Sequence, residues 1–147
     1  MNCDFCWRHC DIPEGRNGYC QGRRNEGGTI RSLCYGQLVS LAVDPVEKKP
    51  LYHFLPGTQS LSVAEAGCNY HCQFCQNFTI SQPGGDIPSR YYPPEVVVGL
   101  AKRHHVRSIS YTYSEPSVWQ DYMVDVAMLA QKDGIRNVMV PNGSLSK

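Results

Sequence analysis

From Leu61 onward the chain alternates short β-branched runs with longer amphipathic stretches, and that order leaves few folds open. Leu61-Ser62-Val63-Ala64 reads as a strand that ends just before a cluster of cysteines. Pro93-Pro94-Glu95 opens a helix that runs to about His105, with proline in its first turn and basic residues in its last. Ser108 to Tyr113, rich in Ile, Tyr and Thr, reads as a second strand. From Ser117 to Asp133 the residues Val118, Tyr122, Val126, Leu129 and Ala130 recur at helical spacing, and Gly134 stands at the C′ position. Ile135 to Val140 supplies a third strand. Strand, helix, strand, helix, strand predicts an α/β fold with parallel strands joined by right-handed crossovers, the start of a sheet or barrel. Three strands and two helices leave a sheet edge open and a flank uncovered, and Ser144-Leu145-Ser146-Lys147 reads as the entrance to a further helix. The expectation is therefore an N-terminal portion of a longer domain.

Upstream, the first thirty or so residues are rich in Cys, Gly, Arg and Asn and show little hydrophobic periodicity. Apolar burial alone can hardly hold them, and a bound metal would supply the missing stability. Leu38, Val39, Leu41 and Val43 form a strand-like run that stops at Asp44-Pro45, where proline removes a ladder donor. The stretch from there to Pro56-Gly57 reads as a loop anchored by Leu51 to Leu55. The organisation predicted is a cysteine-rich N-terminal extension over residues 1–57 and the first portion of an α/β barrel over residues 58–147.

Eight cysteines in 147 residues would suit a disulfide scaffold in a secreted protein. Met1-Asn2-Cys3-Asp4 carries no apolar signal region, and the longest aliphatic stretch, Val96 to Ala101, is far too short to span a bilayer. A cytoplasmic protein is expected, away from membranes, and there the same cysteine density points to metal or redox chemistry. Formal net charge is +1, and the only basic run, Lys102, Arg103, His104, His105 and Arg107, suits a helix C-terminus better than a nucleic-acid footprint.

The cysteines fall in two clusters, with Cys34 alone between them as a small buried apolar residue. Cys68, Cys72 and Cys75 make a CxxxCxxC loop, whose spacing lets three thiolates wrap one small cluster. Three sulfurs are one fewer than an ordinary four-iron cubane uses, which leaves one iron open for a substrate or cofactor. The alternative is zinc shared with Cys3 and Cys6. Zinc ribbons place their cysteine pairs roughly 15–20 residues apart, and this gap is several times larger. Cys3, Cys6, Cys10 and Cys20 suffice for a closed four-thiolate site; zinc and a second iron–sulfur cluster both fit, with His9 as a substitute ligand. His71, His104 and His105 read as ordinary polar residues.

The CxxxCxxC loop with aromatic Phe74 before its last cysteine resembles the signature of radical S-adenosylmethionine (SAM) enzymes. That resemblance implies that Cys68, Cys72 and Cys75 hold a 4Fe–4S cluster whose open iron chelates SAM, with Phe74 near the adenine through its backbone. It further implies reductive cleavage of SAM to a 5′-deoxyadenosyl radical that abstracts hydrogen, fed by an electron donor such as flavodoxin or ferredoxin. Tyr113-Ser114-Glu115-Pro116 resembles the family's glycine-glycine-glutamate-proline segment, which places Ser114 and Glu115 at the SAM amino group. Pro141-Asn142-Gly143 resembles the turn that pyruvate formate-lyase activating enzymes carry near SAM, which adds Asn142. Both segments follow strands, on the face where parallel barrels place active sites. Arg8 to Gly15, Gly18-Tyr19-Cys20, Asp44 to Gly57 and Phe74-Cys75-Gln76-Asn77 are similar to AmmeMemoRadiSam system radical SAM enzymes. Membership there implies a six-stranded partial barrel, a cysteine-containing extension, and AMMECR- and Memo-type proteins as associates. The competing expectation is a non-enzymatic metal-binding module with structural zinc.

Overall fold

The structure, a computed structural model, describes residues 1–83 and 87–144. Strands β1 (Arg23–Glu26) and β2 (Thr29–Ser32) form an antiparallel hairpin across Gly27-Gly28. That hairpin lies inside the stretch where no apolar period is visible, and the paired glycines are its local signal. The run from Leu38 to Val43 divides between two strands. β3 (Gln37–Leu38) pairs with the later β6 (Arg90–Tyr91), whereas β4 (Ser40–Pro45) joins the main sheet. A 3₁₀ turn at Val46–Lys48 follows, then β5 (Gln59–Ala64). A short helix α1 (Phe78–Ser81) comes after the second cysteine cluster. The rest alternates as the sequence predicts: α2 (Pro94–Arg103), β7 (Ser108–Tyr111), α3 (Gln120–Lys132) and β8 (Arg136–Met139).

The four-stranded sheet has the order β4-β5-β7-β8, with β5, β7 and β8 parallel and β4 antiparallel on the outer edge of β5. The strand that covers that edge comes from the N-terminal side of Gly57, six residues of β4 against six of β5. β8 remains the other edge. The segment Leu145 to Lys147, read as leading into a further helix, lies outside the described residues.

One face of the central strands carries Leu61, Val63, Ile109 and Tyr111, which meet Val97, Val98 and Ala101 of α2 and Tyr122, Val126 and Ala130 of α3. Each such valine or leucine contributes roughly 1.5–3 kcal/mol by leaving water. Cys34 packs into the same core, as its reading as a small apolar residue anticipates. Ser60, Ser62, Ser108 and Ser110 alternate with these core residues and are buried as well. The helix expected from Ser117 begins instead with a 3₁₀ turn at Pro116–Trp119, because Glu115 caps that turn and Pro116 lacks an N–H. β7 stops at Tyr111, two residues short of expectation, since Tyr113 turns away with φ +70°. Lys102 and Arg103 do occupy the last turn of α2. Among the described residues no helix is long and apolar enough to cross a membrane.

Candidate functional site

The loops that leave β5, β7 and β8 open at one end of the sheet onto a cleft of about 600 Å³. Cys68, Cys72 and Cys75 line it from the first loop, Ser114 and Glu115 from the second and Asn142 from the third. A parallel sheet forces this convergence, because its strands all deliver their C-terminal ends to the same side.

The cysteine loop is held by polar ties rather than regular structure. Asn69 is fully buried; its Nδ2 donates to Ser144 Oγ at 2.7 Å, and its Oδ1 accepts from Asn142 Nδ2 at 2.8 Å. Asn77 Nδ2 donates to the Tyr113 carbonyl at 3.0 Å, and the Gly67 carbonyl accepts from Glu115 N–H at 3.2 Å. The Tyr70 N–H donates to Cys68 Sγ at 3.4 Å, and Cys75 Sγ lies 3.2 Å from Ser81 Oγ. Burial pushes the Cys68 thiol above its ordinary value, and nearby Glu115, Cys72 and Cys75 add to the rise. All eight cysteines are free thiols.

The other expected site residues divide by what their side chains are doing. Glu115, 2% exposed, accepts from Ser117 N–H with one carboxylate oxygen and from Asn142 N–H with the other. Asn142 thereby ties the β8 loop to both neighbouring loops. The Ser114 hydroxyl turns inward, donating to the Glu65 carbonyl and accepting from Trp119 Nε1 at 3.0 Å, so its backbone is what faces the cleft. Phe74 is 91% exposed and its ring stands outside the cleft.

Two further residues reach the cleft without having been singled out, Lys48 and Lys49. Both donate to Asp44, at 2.8 and 3.1 Å, and Lys49 also donates to Tyr113 Oη at 3.3 Å. Burial alone would raise the Asp44 carboxyl, but hydrogen bonds from Lys48, Tyr113 and Lys49 hold it well below the usual carboxylate range. The available signal was two adjacent lysines beside an acid in a stretch otherwise read as loop.

Cys3, Cys6, Cys10 and Cys20 surround a much smaller pocket of about 10 Å³ beside Arg23. Within this extension Arg8 Nε donates to the Asn69 carbonyl at 2.7 Å, Trp7 stacks on Tyr70 at 5.6 Å and Tyr19 on His71 at 4.4 Å. His9 pairs with Asp4 at 3.1 Å rather than with the sulfurs. Among the described residues no three His, Cys, Asp or Glu side chains converge tightly enough on one point to hold a single ion. A multi-iron cluster asks for something different, thiolates spread over separate irons. Three free thiols on the wall of a roomy cleft fit that demand.

Glu65, at the base of the cysteine loop, is fully buried; Oε1 accepts from Gly36 N–H while Oε2 has no partner. Desolvation pushes its carboxyl up to about 8, against the Gly36 N–H and the charge of Arg23, which lower it. The folded chain therefore holds this proton above the pH at which the unfolded chain releases it, so stability is expected to fall as pH rises from about 4.5 to about 8. Urea titrations across that range should show the slope, and Glu65→Gln should flatten it. An unchanged slope in the variant would assign the proton elsewhere.

Comparison with known proteins adds two findings. Residues 65–147 match the model of the radical SAM superfamily. An uncharacterized protein of Methanocaldococcus jannaschii is 47% identical over 148 residues, which covers all of this chain and 44% of that protein. The chain thus spans less than half the length of the curated relative it matches. No solved structure matches it.

Proposed function

The chain belongs to the radical SAM superfamily, and on that premise we propose that Cys68, Cys72 and Cys75 hold a 4Fe–4S cluster in the cleft, with S-adenosylmethionine bound beside it. Membership of this superfamily generally implies an enzyme. The observation that carries the residue assignment is the convergence of the three thiols with Glu115 and Asn142 on one cleft. When bound, a reduced cluster of this type cleaves SAM to methionine and a 5′-deoxyadenosyl radical that abstracts hydrogen from a substrate. The chain's own part is ligation and placement. Three cysteine thiolates supply the cluster ligands, and a loop tied through Asn69 and Asn77 keeps them facing the cleft. The Ser114 backbone and the Glu115 carboxylate meet the SAM amino group, Asn142 orders the third loop, and the Phe74 backbone lies near the adenine.

The same reading places the chain among AmmeMemoRadiSam system enzymes, akin to pyruvate formate-lyase activating enzymes. Residues 1–57 are the extension and residues 58–147 the first portion of a partial barrel in a longer protein. That protein acts in the cytoplasm, takes electrons from a flavodoxin or ferredoxin, and works with AMMECR- and Memo-type associates.

Anaerobic reconstitution with iron and sulfide, followed by reduction, should give a 4Fe–4S electron paramagnetic resonance signal that changes when SAM is added. Replacing Cys68, Cys72 and Cys75 together by alanine should abolish it. A signal that persists in the triple variant would overturn the ligand assignment, and zinc alone after anaerobic purification would make the chain a metal-binding module instead.

A further inference from the structure

The cysteine loop, Ser114-Glu115 and Asn142 account for one part of the cleft; Lys48, Lys49 and Tyr113 line another. These three meet on Asp44, whose Oδ1 accepts from Lys48 and whose Oδ2 accepts from Lys49 and from the Tyr113 hydroxyl. Asp44 pairs with Ser60 across the β4–β5 ladder, so it shares the face of Ser60, Ser62, Ser108 and Ser110, away from the helices that cover Leu61 and Val63. Ser60 stands four residues before Ala64, the end of β5, which puts the Asp44 anchor roughly 13 Å down the strand from the rim where the cysteine loop leaves.

The charges at this anchor do not balance. Two ammonium groups face one carboxylate, and Asp44 stays ionised because those partners hold its carboxyl well below the usual range. Each ammonium carries three N–H groups. Lys48 gives one to Asp44, and Lys49 gives one to Asp44 and one to Tyr113 Oη, which leaves N–H groups on both heads unspent among the described residues. The Lys49 side chain is 2% exposed, and a cation buried beside a counter-charge it must share is costly unless something else completes it. The Lys48 side chain is 55% exposed, which leaves its head free to reach a ligand. Both heads lie over the Tyr113 ring, 5.6 and 4.4 Å from its centre. Tyr113 holds that ring in place at φ +70°, a conformation bulky residues rarely adopt, with its carbonyl pinned by Asn77 Nδ2 at 3.0 Å. Strain of this kind collects where a group has to be aimed.

We propose that Lys48 and Lys49 form an anion subsite in the cleft, which takes the carboxylate or phosphate of the molecule from which hydrogen is abstracted. Lysine heads act as point charges with rotatable donors and do not demand a planar bidentate partner, so either oxyanion fits. An anion there supplies the second negative charge that the two ammonium groups lack. The SAM contacts proposed above come from the segments after β5, β7 and β8, whereas the lysines follow β4, so the anchored anion lies beside SAM rather than on it. That the anion belongs to the hydrogen donor rests on the proposed function; the subsite itself does not.

The test begins with the full chain, reduced and free of iron, its lysines labelled with carbon-13 at Cε. Inorganic phosphate and succinate are titrated separately, against sodium chloride at matched ionic strength. The Lys48 and Lys49 signals should shift to saturation, and the tighter anion names the group; Lys102, paired with Asp133 at 3.0 Å in an exposed ion pair, should not move. Lys48→Met should weaken binding about tenfold, the loss of one charged hydrogen bond. Lys48→Arg, which keeps the charge, should hold it within about threefold. Shifts that never saturate, that chloride reproduces, or that survive Lys48→Met would mean an adventitious ion only. Calorimetry of the reconstituted chain with succinate then decides which molecule brings the anion. Binding that persists with SAM present supports a second molecule; displacement by SAM or by methionine would overturn that assignment in favour of SAM's own carboxylate. A chain that binds phosphate through Lys48 but assembles no 4Fe–4S cluster would refute the proposed function and leave the anion subsite standing.

Discussion

Gly67→Ala is expected to destabilise the chain by about 2–5 kcal/mol, combining left-handed backbone strain with overpacking. Gly67 sits at φ +106°, and a Cβ there would stand 2.7 Å from the Cys20 carbonyl oxygen and 3.4 Å from Val118 Cγ1. The Cys20 contact is backbone, so no rotamer change relieves it. It is also the point where the extension presses closest on the residue preceding Cys68, and Gly67 is pinned there by its N–H to the Ile80 carbonyl and its carbonyl from Glu115 N–H. Gly57→Ala is the control: its φ of +73° lies near the left-handed well that L residues can enter, and a Cβ there meets nothing within 4 Å. That variant should lose only about 1–2 kcal/mol. Urea denaturation of the two proteins gives as their difference the added cost at Gly67, the Cys20 contact together with its wider φ. Equal losses would mean that Cys20 and Gly67 do not press together.

The contrast between these glycines also marks where the sequence was readable. The elements from Leu61 to Val140 announce themselves because their apolar residues keep the periods of the structures they form, Val97, Val98 and Ala101 on one helix face and Leu61 and Val63 on one strand face. The site is legible for a related reason: parallel strands deliver the segments after β5, β7 and β8 to one end, so motifs far apart in sequence meet. What could not be read is long-range polar fit. Nothing local says that β4 pairs with β5 across thirteen intervening residues of loop and turn, because an edge strand is chosen by its partner. Nothing local says that the Ser114 hydroxyl turns inward to Trp119 and the Glu65 carbonyl, or that Lys49 is drawn to Asp44 and Tyr113. The hairpin of β1 and β2 was hidden because its residues are mostly polar, leaving Gly27-Gly28 as its one mark.

Glu115→Ala should cost about 2–5 kcal/mol in the chain without any cofactor, since two N–H groups lose their charged acceptor. One of those donors, Ser117, starts the 3₁₀ turn that leads into α3; the other, Asn142, holds the loop after β8. Glu115 is buried, so water cannot readily take the carboxylate's place. Glu115→Gln keeps one carbonyl oxygen but aims an NH₂ at the second donor, and it should recover about half of the loss. Amide exchange at Asn142 should quicken in both variants, more in alanine. If instead Glu115→Ala is neutral until SAM is added, the carboxylate belongs to the cofactor alone and the tie to Asn142 is dispensable. The two roles are chemically compatible, because a carboxylate offers about four acceptor sites and the two N–H groups use only two of them. The remaining lone pairs are those that an ammonium group in the cleft would meet. The structural tie thus fixes in advance the direction in which the carboxylate presents them, and a SAM-binding defect in Glu115→Gln larger than its stability loss would reveal that second use.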